Sequence, residues 1–341
     1  MFGKIGSVRI CGINTVVPSN CVNNMESYAA QFDEKKLKRQ IRMTGMEERF
    51  VAEEGVTSSL LCKEAASQLL DELGWERNTV RALLYVTETP DFVLPSTSFH
   101  IQEQLGIGED CVVYDMNLGC SGWIVGMQTI SSIMRGIEPE EGKPVRALLL
   151  TGSISTSHVA ADDFATAMLF GDAGAATALE MSASDAGFRY MQKSDGTGYQ
   201  HIFMESLEGS VQMNGPAVFE FTINQVVDSV RKFMEHFQIK DENVDFYVFH
   251  QAQKFIVDNM VELLGCPSEK VISSYASYGN TAAAAIPLTI CFHKDTLQEK
   301  DRVSMMAAGF GVGLSWGAFT FELDTDHIMG ISLLEREGGR R

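Results

Sequence analysis

Apolar residues along this chain switch repeatedly between two spacings. Leu60, Leu61, Ala65, Leu69, Leu70 and Leu73 recur at helical intervals and stop at Gly74. Ala82 to Thr87 follows as a short, continuous apolar run of the kind a buried strand requires. Pro95-Ser96 opens a helix reaching Leu105, and Trp123 to Met134 repeats the helical pattern. Further strand runs fall at Cys111–Met116, Val145–Thr151, Ala175–Glu180, Asp245–Phe249, Val303–Ala307 and Leu314–Glu322. Strands alternating with helices predict an α/β fold.

The pattern also repeats itself. A strand at Leu83–Thr87, a strand–turn–helix at Cys120, a strand at Ala147–Thr151, a glycine turn at Gly171–Gly174 and a strand at Ala175–Glu180 make the first series. The second runs through Asp245–Phe249, a turn and helix at Asn280, Val303–Ala307, a glycine turn at Gly309–Gly313 and Leu314–Glu322. Two halves are predicted, 1–180 carrying Cys120 and 181–341 carrying His250 and Asn280. Pairing them about a pseudo-twofold axis would bring their strand ends together.

Composition narrows the class. The chain has 341 residues, 45% hydrophobic and 21% charged, ordinary for a globular protein with one large core or two. A net charge of −18 argues against nucleic acid and anionic membranes as partners. Lys35, Lys36, Lys38, Arg39 and Arg42 form a local exception, read as a solvated helix face or a landing site for an acidic partner. Seven cysteines without a Cys-x-x-Cys suit reduced thiols, not a disulfide framework or zinc site. No export signal or transmembrane-length apolar run is seen, so a cytoplasmic protein is expected. Residues 138–144 read as an exposed acidic loop.

Three residues carry the chemistry. Cys120, in Asn117-Leu-Gly-Cys-Ser-Gly-Trp123, sits where a strand turns into a helix, a place expected to favour thiolate over thiol. His250 follows the strand ending at Phe249, and Asn280 lies in Gly279-Asn280-Thr281 before another helix; all three are expected at strand ends. His250 trails Cys120 by 130 residues and Asn280 trails it by 160, roughly a papain-like spacing, but the local Cys-Gly-Ser-Cys-Trp signature is absent. Gly309–Gly313 is not a dinucleotide loop, because a strand follows it instead of a helix. The remaining histidines share no metal spacing, no metal is expected, and His158 receives no role.

These residues and their neighbours resemble β-ketoacyl-acyl-carrier-protein synthase III, a condensing enzyme of the thiolase superfamily. The resemblance rests on Thr44-Gly45-x-x-x-Arg49, Pro95-Ser96, Asn117-x-x-Cys120-Ser121-Gly122 and Phe170-Gly171-Asp172. It continues through Met213-Asn214-Gly215, His250-Gln251-Ala252, Gly279-Asn280-Thr281, Gly309–Gly313 and Trp316-Gly317. It implies a five-layered αβαβα thiolase-like fold, a homodimer, and no bound cofactor, with CoA or phosphopantetheine thioesters as substrates. It implies an acyltransferase in which Cys120 holds the acyl group. The backbone N–H groups of Cys120 and Val312 would form the oxyanion hole. His250 and Asn280 would donate to the enolate left when a malonyl thioester loses carbon dioxide. The partner would be acyl-carrier protein or acyl-CoA.

The chain also departs from that family. The positions that clamp the adenine and phosphate of CoA carry Arg39, Met43 and Phe164, which favours a carrier-protein donor. The docking arginine is replaced by Phe255, next to Lys254. The residue expected to close the acyl pocket across a dimer falls near Leu94. Glu88, 32 residues before Cys120, stands where the sister hydroxymethylglutaryl-CoA synthases place a general acid/base. Glu88 therefore keeps two alternatives open, a condensation without decarboxylation or acyl transfer to a small nucleophile. A non-catalytic partner subunit is the alternative of another class, which the intact Cys-His-Asn set opposes.

Overall fold

A computed structural model describes residues 1–160, 163–164, 166–182 and 187–335. Ten strands carry the architecture. The first five are β1 (Val8–Val17), β2 (Val80–Val86), β3 (Val112–Met116), β4 (Arg146–Ser153) and β5 (Ala173–Met181). The second five are β6 (Gly187–Ser194), β7 (Phe246–Phe249), β8 (Val271–Ile272), β9 (Arg302–Gly311) and β10 (Ser315–Asp324). The first set pairs in the order β1-β5-β4-β2-β3, the second in the order β6-β10-β9-β7-β8. Parallel and antiparallel steps fall at the same places in both. The halves join edge to edge where Leu323 of β10 pairs with Ile10 of β1.

Five layers follow from the period-2 alternation of the strands. Ala82, Leu84 and Val86 of β2 and Ala147 and Leu149 of β4 face a central core. Leu83, Tyr85, Leu148 and Leu150 point the other way, into an outer core. In the second half Met305 and Ala307 face the centre, while Met306 and Ala308 face a third core. Seven helices matter below: α1 (Glu34–Thr44), α2 (Ser58–Glu72), α3 (Thr97–Leu105), α4 (Gly122–Gly136), α5 (Val227–Phe237), α6 (Lys254–Leu264) and α7 (Ala285–Phe292). α2 and α3 cover one outer face, α5 and α6 the other, and α4 and α7 lie between the sheets. Trp123, Ile124, Met127, Ile130 and Met134 of α4 are all buried there, each contributing about 1.5–3 kcal/mol by leaving water.

Two expectations are corrected. The glycine turn is shorter than 309–313, because β9 continues through Gly311, which pairs with Ser315. Backbone proximity explains glycine inside this strand. A Cβ on Gly309 would stand 3.0 Å from the Cys120 carbonyl oxygen, and one on Gly311 would stand 2.8 Å from Cys120 Sγ. Asn280 does not project from a strand end either. β8 stops at Ile272, and Asn280 lies between the helical turns Tyr275–Tyr278 and Ala282–Ala284, where it bridges Phe170.

Candidate active site

Cys120 stands one residue outside the Ser121 cap of α4, and β9 presses against it from behind. Ser121 Oγ lies 2.5 Å from Ser315 Oγ, and Ser315 Oγ donates to the Val312 carbonyl, so the turn after β9 is tied to the start of α4. That tie directs the backbone N–H groups of Val312 and Cys120 at the sulfur.

His250 follows β7. Its backbone N–H donates to Ala308 on β9 at 2.8 Å, and its ring stands edge-on to Phe310. It is buried, yet neither ring nitrogen meets a protein partner among the described residues. Gln251 beside it accepts from the N–H groups of Ser274 and Tyr275 at 2.8 and 3.2 Å and donates to the Phe249 carbonyl at 2.6 Å. One side chain thus fixes the start of the loop that carries Asn280.

Asn280 is clamped from both sides. Its backbone N–H donates to Leu169, and its carbonyl accepts from Gly171. Its Oδ1 accepts from Ala282 N–H at 3.0 Å, which leaves Nδ2 as the group able to donate outward. Arg49 secures the same loop by donating to the Phe170 carbonyl, Asn24 Oδ1 and the Tyr28 hydroxyl. Asp172 accepts from the N–H groups of Ala52 and Thr156 and from the Thr156 hydroxyl. The Thr-Gly-x-x-x-Arg and Phe-Gly-Asp motifs are therefore scaffolding for Asn280.

Cys120, His250 and Asn280 line one cavity of about 420 Å³, together with Glu88, Asn117, Ser155 and His158. Its remaining wall is mostly apolar, with Ile202, Phe203, Leu207, Val211 and Met213 along the segment 202–213. Met213 belongs to the Met213-Asn214-Gly215 motif, whereas residues 202–212 carry no motif and receive no role from the sequence. His158, given no role there, lies on the wall with Nδ1 3.2 Å from the Gly209 carbonyl. Arg39, Phe164, Leu94 and Lys254 do not line this cavity. Arg39 and the other α1 cations are exposed, Phe164 packs edge-on to Phe32, Lys254 pairs with Asp258, and Leu94 points to solvent. Among the described residues no His/Cys/Asp/Glu cluster could hold a metal, and no helix is long and apolar enough to cross a membrane.

The electrostatics correct the expected thiolate. Burial first, and then the Glu88 carboxylate, push the Cys120 thiol up to about 12, against the pull of the two backbone N–H groups. Desolvation outweighs the position at the helix start, although the cysteine is only partly buried. Burial likewise lowers His250 to about 3, so its imidazole is neutral and carries one N–H to donate. Burial alone raises Glu88 to about 7.

The arrangement offers a sulfur nucleophile, two backbone donors beside it and two side-chain donors across the cavity, which suits acyl transfer through a thioester. Comparisons with known proteins agree. The model of the "3-Oxoacyl-[acyl-carrier-protein (ACP)] synthase III" family matches residues 114–196, and that of its C-terminal region matches residues 234–323. A β-ketoacyl-[acyl-carrier-protein] synthase III of Staphylococcus epidermidis is 31% identical over 318 residues, covering 93% of this chain and 99% of the relative. The chain belongs to the β-ketoacyl-[acyl-carrier-protein] synthase III family. A synthase III of Clostridium perfringens is 29% identical over 335 residues, covering 93% of this chain and 99% of its own length. The crystal structure of a 3-oxoacyl-(acyl-carrier protein) synthase from Burkholderia xenovorans superposes with a TM-score of 0.92 at 30% identity, covering 98% of this chain and 99% of its own. The thiolase-like fold of synthase III enzymes is thus the fold of this chain, and the chain is an acyltransferase-type condensing enzyme.

Proposed function

We propose that this enzyme loads an acyl group onto Cys120 and condenses it with a malonyl thioester by decarboxylative Claisen chemistry. One observation carries the reading: Cys120, with two N–H groups at its sulfur, shares a cavity with two unspent donors, His250 and Asn280 Nδ2. In the first half-reaction Sγ attacks the thioester carbonyl, and the N–H groups of Cys120 and Val312 hold the oxyanion. In the second, the malonyl group loses carbon dioxide. The enolate oxygen then receives hydrogen bonds from neutral His250 and from Asn280, its carbon attacks the acyl-Cys120 carbonyl, and the bond from that carbon to Sγ breaks, releasing Cys120 and a β-ketoacyl thioester. Each donor contributes about 2.7–4 kcal/mol in the transition state. Neutral His250 fits this role, because a donor of this kind has no need to titrate.

Carrier-bound phosphopantetheine is the donor that fits best, with the exposed cations of α1 attracting an acidic carrier and Arg39, Met43 and Phe164 lacking the arrangement of a CoA clamp. Acyl-CoA is the second source of the same thioester. The halves 1–180 and 181–341 act as one repeat unit each, Cys120 on the first and His250 and Asn280 on the second. The enzyme works as a homodimer in the cytoplasm, without a bound metal or cofactor.

Intact-mass measurement after incubation with acyl-carrier and acyl-CoA thioesters tests the reading. The wild type gains one acyl group, and Cys120→Ala gains none. An adduct that persists in the variant refutes the assignment.

A further inference from the structure

Acylation takes the proton off the Cys120 thiol, and burial lowers the His250 ring to about 3, which makes it a poor place to put that proton. Something else has to take it. We propose that Glu88 is the base that receives the Cys120 thiol proton during acyl loading and returns it to the departing thiol; this rests on the reading above, in which Cys120 is acylated.

The geometry points to Glu88 in three ways. It follows β2 by two residues, and the main chain there is fixed by hydroxyls on the opposite side. Thr89 N–H donates to Thr87 Oγ1, and Ser58 Oγ donates to the Thr89 carbonyl and lies 2.6 Å from the Tyr85 hydroxyl. Those groups anchor residues 87–89 and leave the Glu88 side chain to the cavity. Its carboxylate rests against Gly119, the residue before the nucleophile. A methyl group on Gly119 would overlap Oε2, so glycine is what lets the acid approach. Finally, no hydrogen bond or ion pair holds this carboxylate among the described residues, and no lysine or arginine lines the cavity. A partly buried carboxylate without a partner is costly to the fold, which marks it as a candidate for chemistry.

The titratable groups facing the same space are Cys120, His158, Glu205 and His250. Of these His250, lowered to about 3, cannot keep a proton near neutral pH, whereas Glu88 at about 7 can both accept and release one. The step balances. As Sγ bonds to the acyl carbon, the Sγ–H proton passes to the Glu88 carboxylate. When the tetrahedral intermediate collapses, the bond from carbon to the carrier sulfur breaks, and Glu88 returns the proton to that sulfur. Acyl-Cys120 and a free thiol remain, with Glu88 ionised as at the start.

The test measures loading from acyl N-acetylcysteamine thioesters, acetyl to octanoyl, by release of free thiol and by intact mass. Malonyl thioester decarboxylation is measured alongside. Wild-type loading rises with pH and levels off above about 7, where Glu88 is ionised. Glu88→Gln loads about 100- to 10,000-fold more slowly at pH 7, the usual contribution of a general base, and its rate keeps climbing with pH without a plateau. Its ratio of loading to decarboxylation falls by at least about 30-fold on the same grounds. Glu88→Asp, which keeps a carboxylate, loads at an intermediate rate and retains the plateau. Wild-type loading in Glu88→Gln, or an equal fall in both half-reactions, overturns the proposal. A wild type that takes no acyl group overturns the proposed function itself.

Discussion

At the scale of single residues, two of the cavity groups whose protonation burial shifts, His250 and Glu88, push stability in opposite directions with pH. His250 is lowered from 6.5 to about 3, so the unfolded chain binds its proton more readily than the fold does. Its contribution is complete above the unfolded pKa and is lost as pH falls toward the folded one. Glu88 is raised from 4.5 to about 7, so here the folded state binds the proton more readily. Its contribution is complete below the unfolded pKa and is lost as pH rises through the folded one. A shift of this size corresponds to about 3 kcal/mol. Glu88→Gln removes the partly buried charge while keeping the shape. The variant should therefore be more stable than wild type by up to about 3 kcal/mol at pH 8, with the difference fading toward pH 4. Urea denaturation at both pH values checks this, and equal stability at pH 8 would mean that the carboxylate is solvated. A residue that destabilises the fold at the working pH is retained for another reason, consistent with a base.

At the scale of elements, the site depends on how closely backbones approach. β9 passes directly behind Cys120, and only glycine at 309 and 311 leaves room for the residue opposite. Gly311→Ala should block loading, because its methyl group would displace Sγ from the N–H groups of Cys120 and Val312. Loss of the acyl adduct with a near-native circular dichroism spectrum is the expected result, and a normally loaded variant would show that the strand can yield. Gln251→Ala makes the complementary case. It leaves the buried N–H groups of Ser274 and Tyr275 without their acceptor, at about 1–3 kcal/mol. It should also loosen the loop holding Asn280, so malonyl decarboxylation falls more than acyl loading does.

These contacts also explain what the sequence conveyed. The strands, the helices and the repeat were legible because alternation along β2 and β4 and the helical spacing of α2 report burial directly. Cys120 and His250 were legible as residues following strands, and Glu88 as a carboxylate ending a buried strand, at a place like that of the acid/base in the sister hydroxymethylglutaryl-CoA synthases. The state of the thiol was not, because desolvation depends on what encloses the sulfur, and the helix start alone pointed the other way. The wall at 202–212 was hidden for a similar reason: its apolar residues show no period, and only the fold brings them over Cys120.

At the scale of the whole molecule, one feature of the surface remains without a partner in a single copy. The loop after β2 exposes Phe92, Val93 and Leu94, and Phe99 of α3 adds to the same stretch of chain. Val93 and Leu94 are 87% and 88% exposed, although the chain folds other apolar residues into three large cores. Contiguous exposed apolar residues of this kind mark a protein interface, and among soluble oligomers a twofold dimer is the commonest way to cover one. In a homodimer each loop would meet the partner copy, and Leu94, outside the cavity of its own chain, would be free to approach the other. Light scattering with size exclusion at micromolar concentration should give twice the chain mass of 37.5 kDa. Leu94→Asp together with Val93→Asp should shift it to the monomer, because burying two carboxylates without partners costs several kcal/mol. Acyl loading is measured on the same variant, and a fall or a changed preference for acyl length would show that the loop reaches the partner's cavity. A monomeric wild type, or a variant that remains a dimer with unchanged loading, would place the interface elsewhere and leave these apolar residues for the carrier.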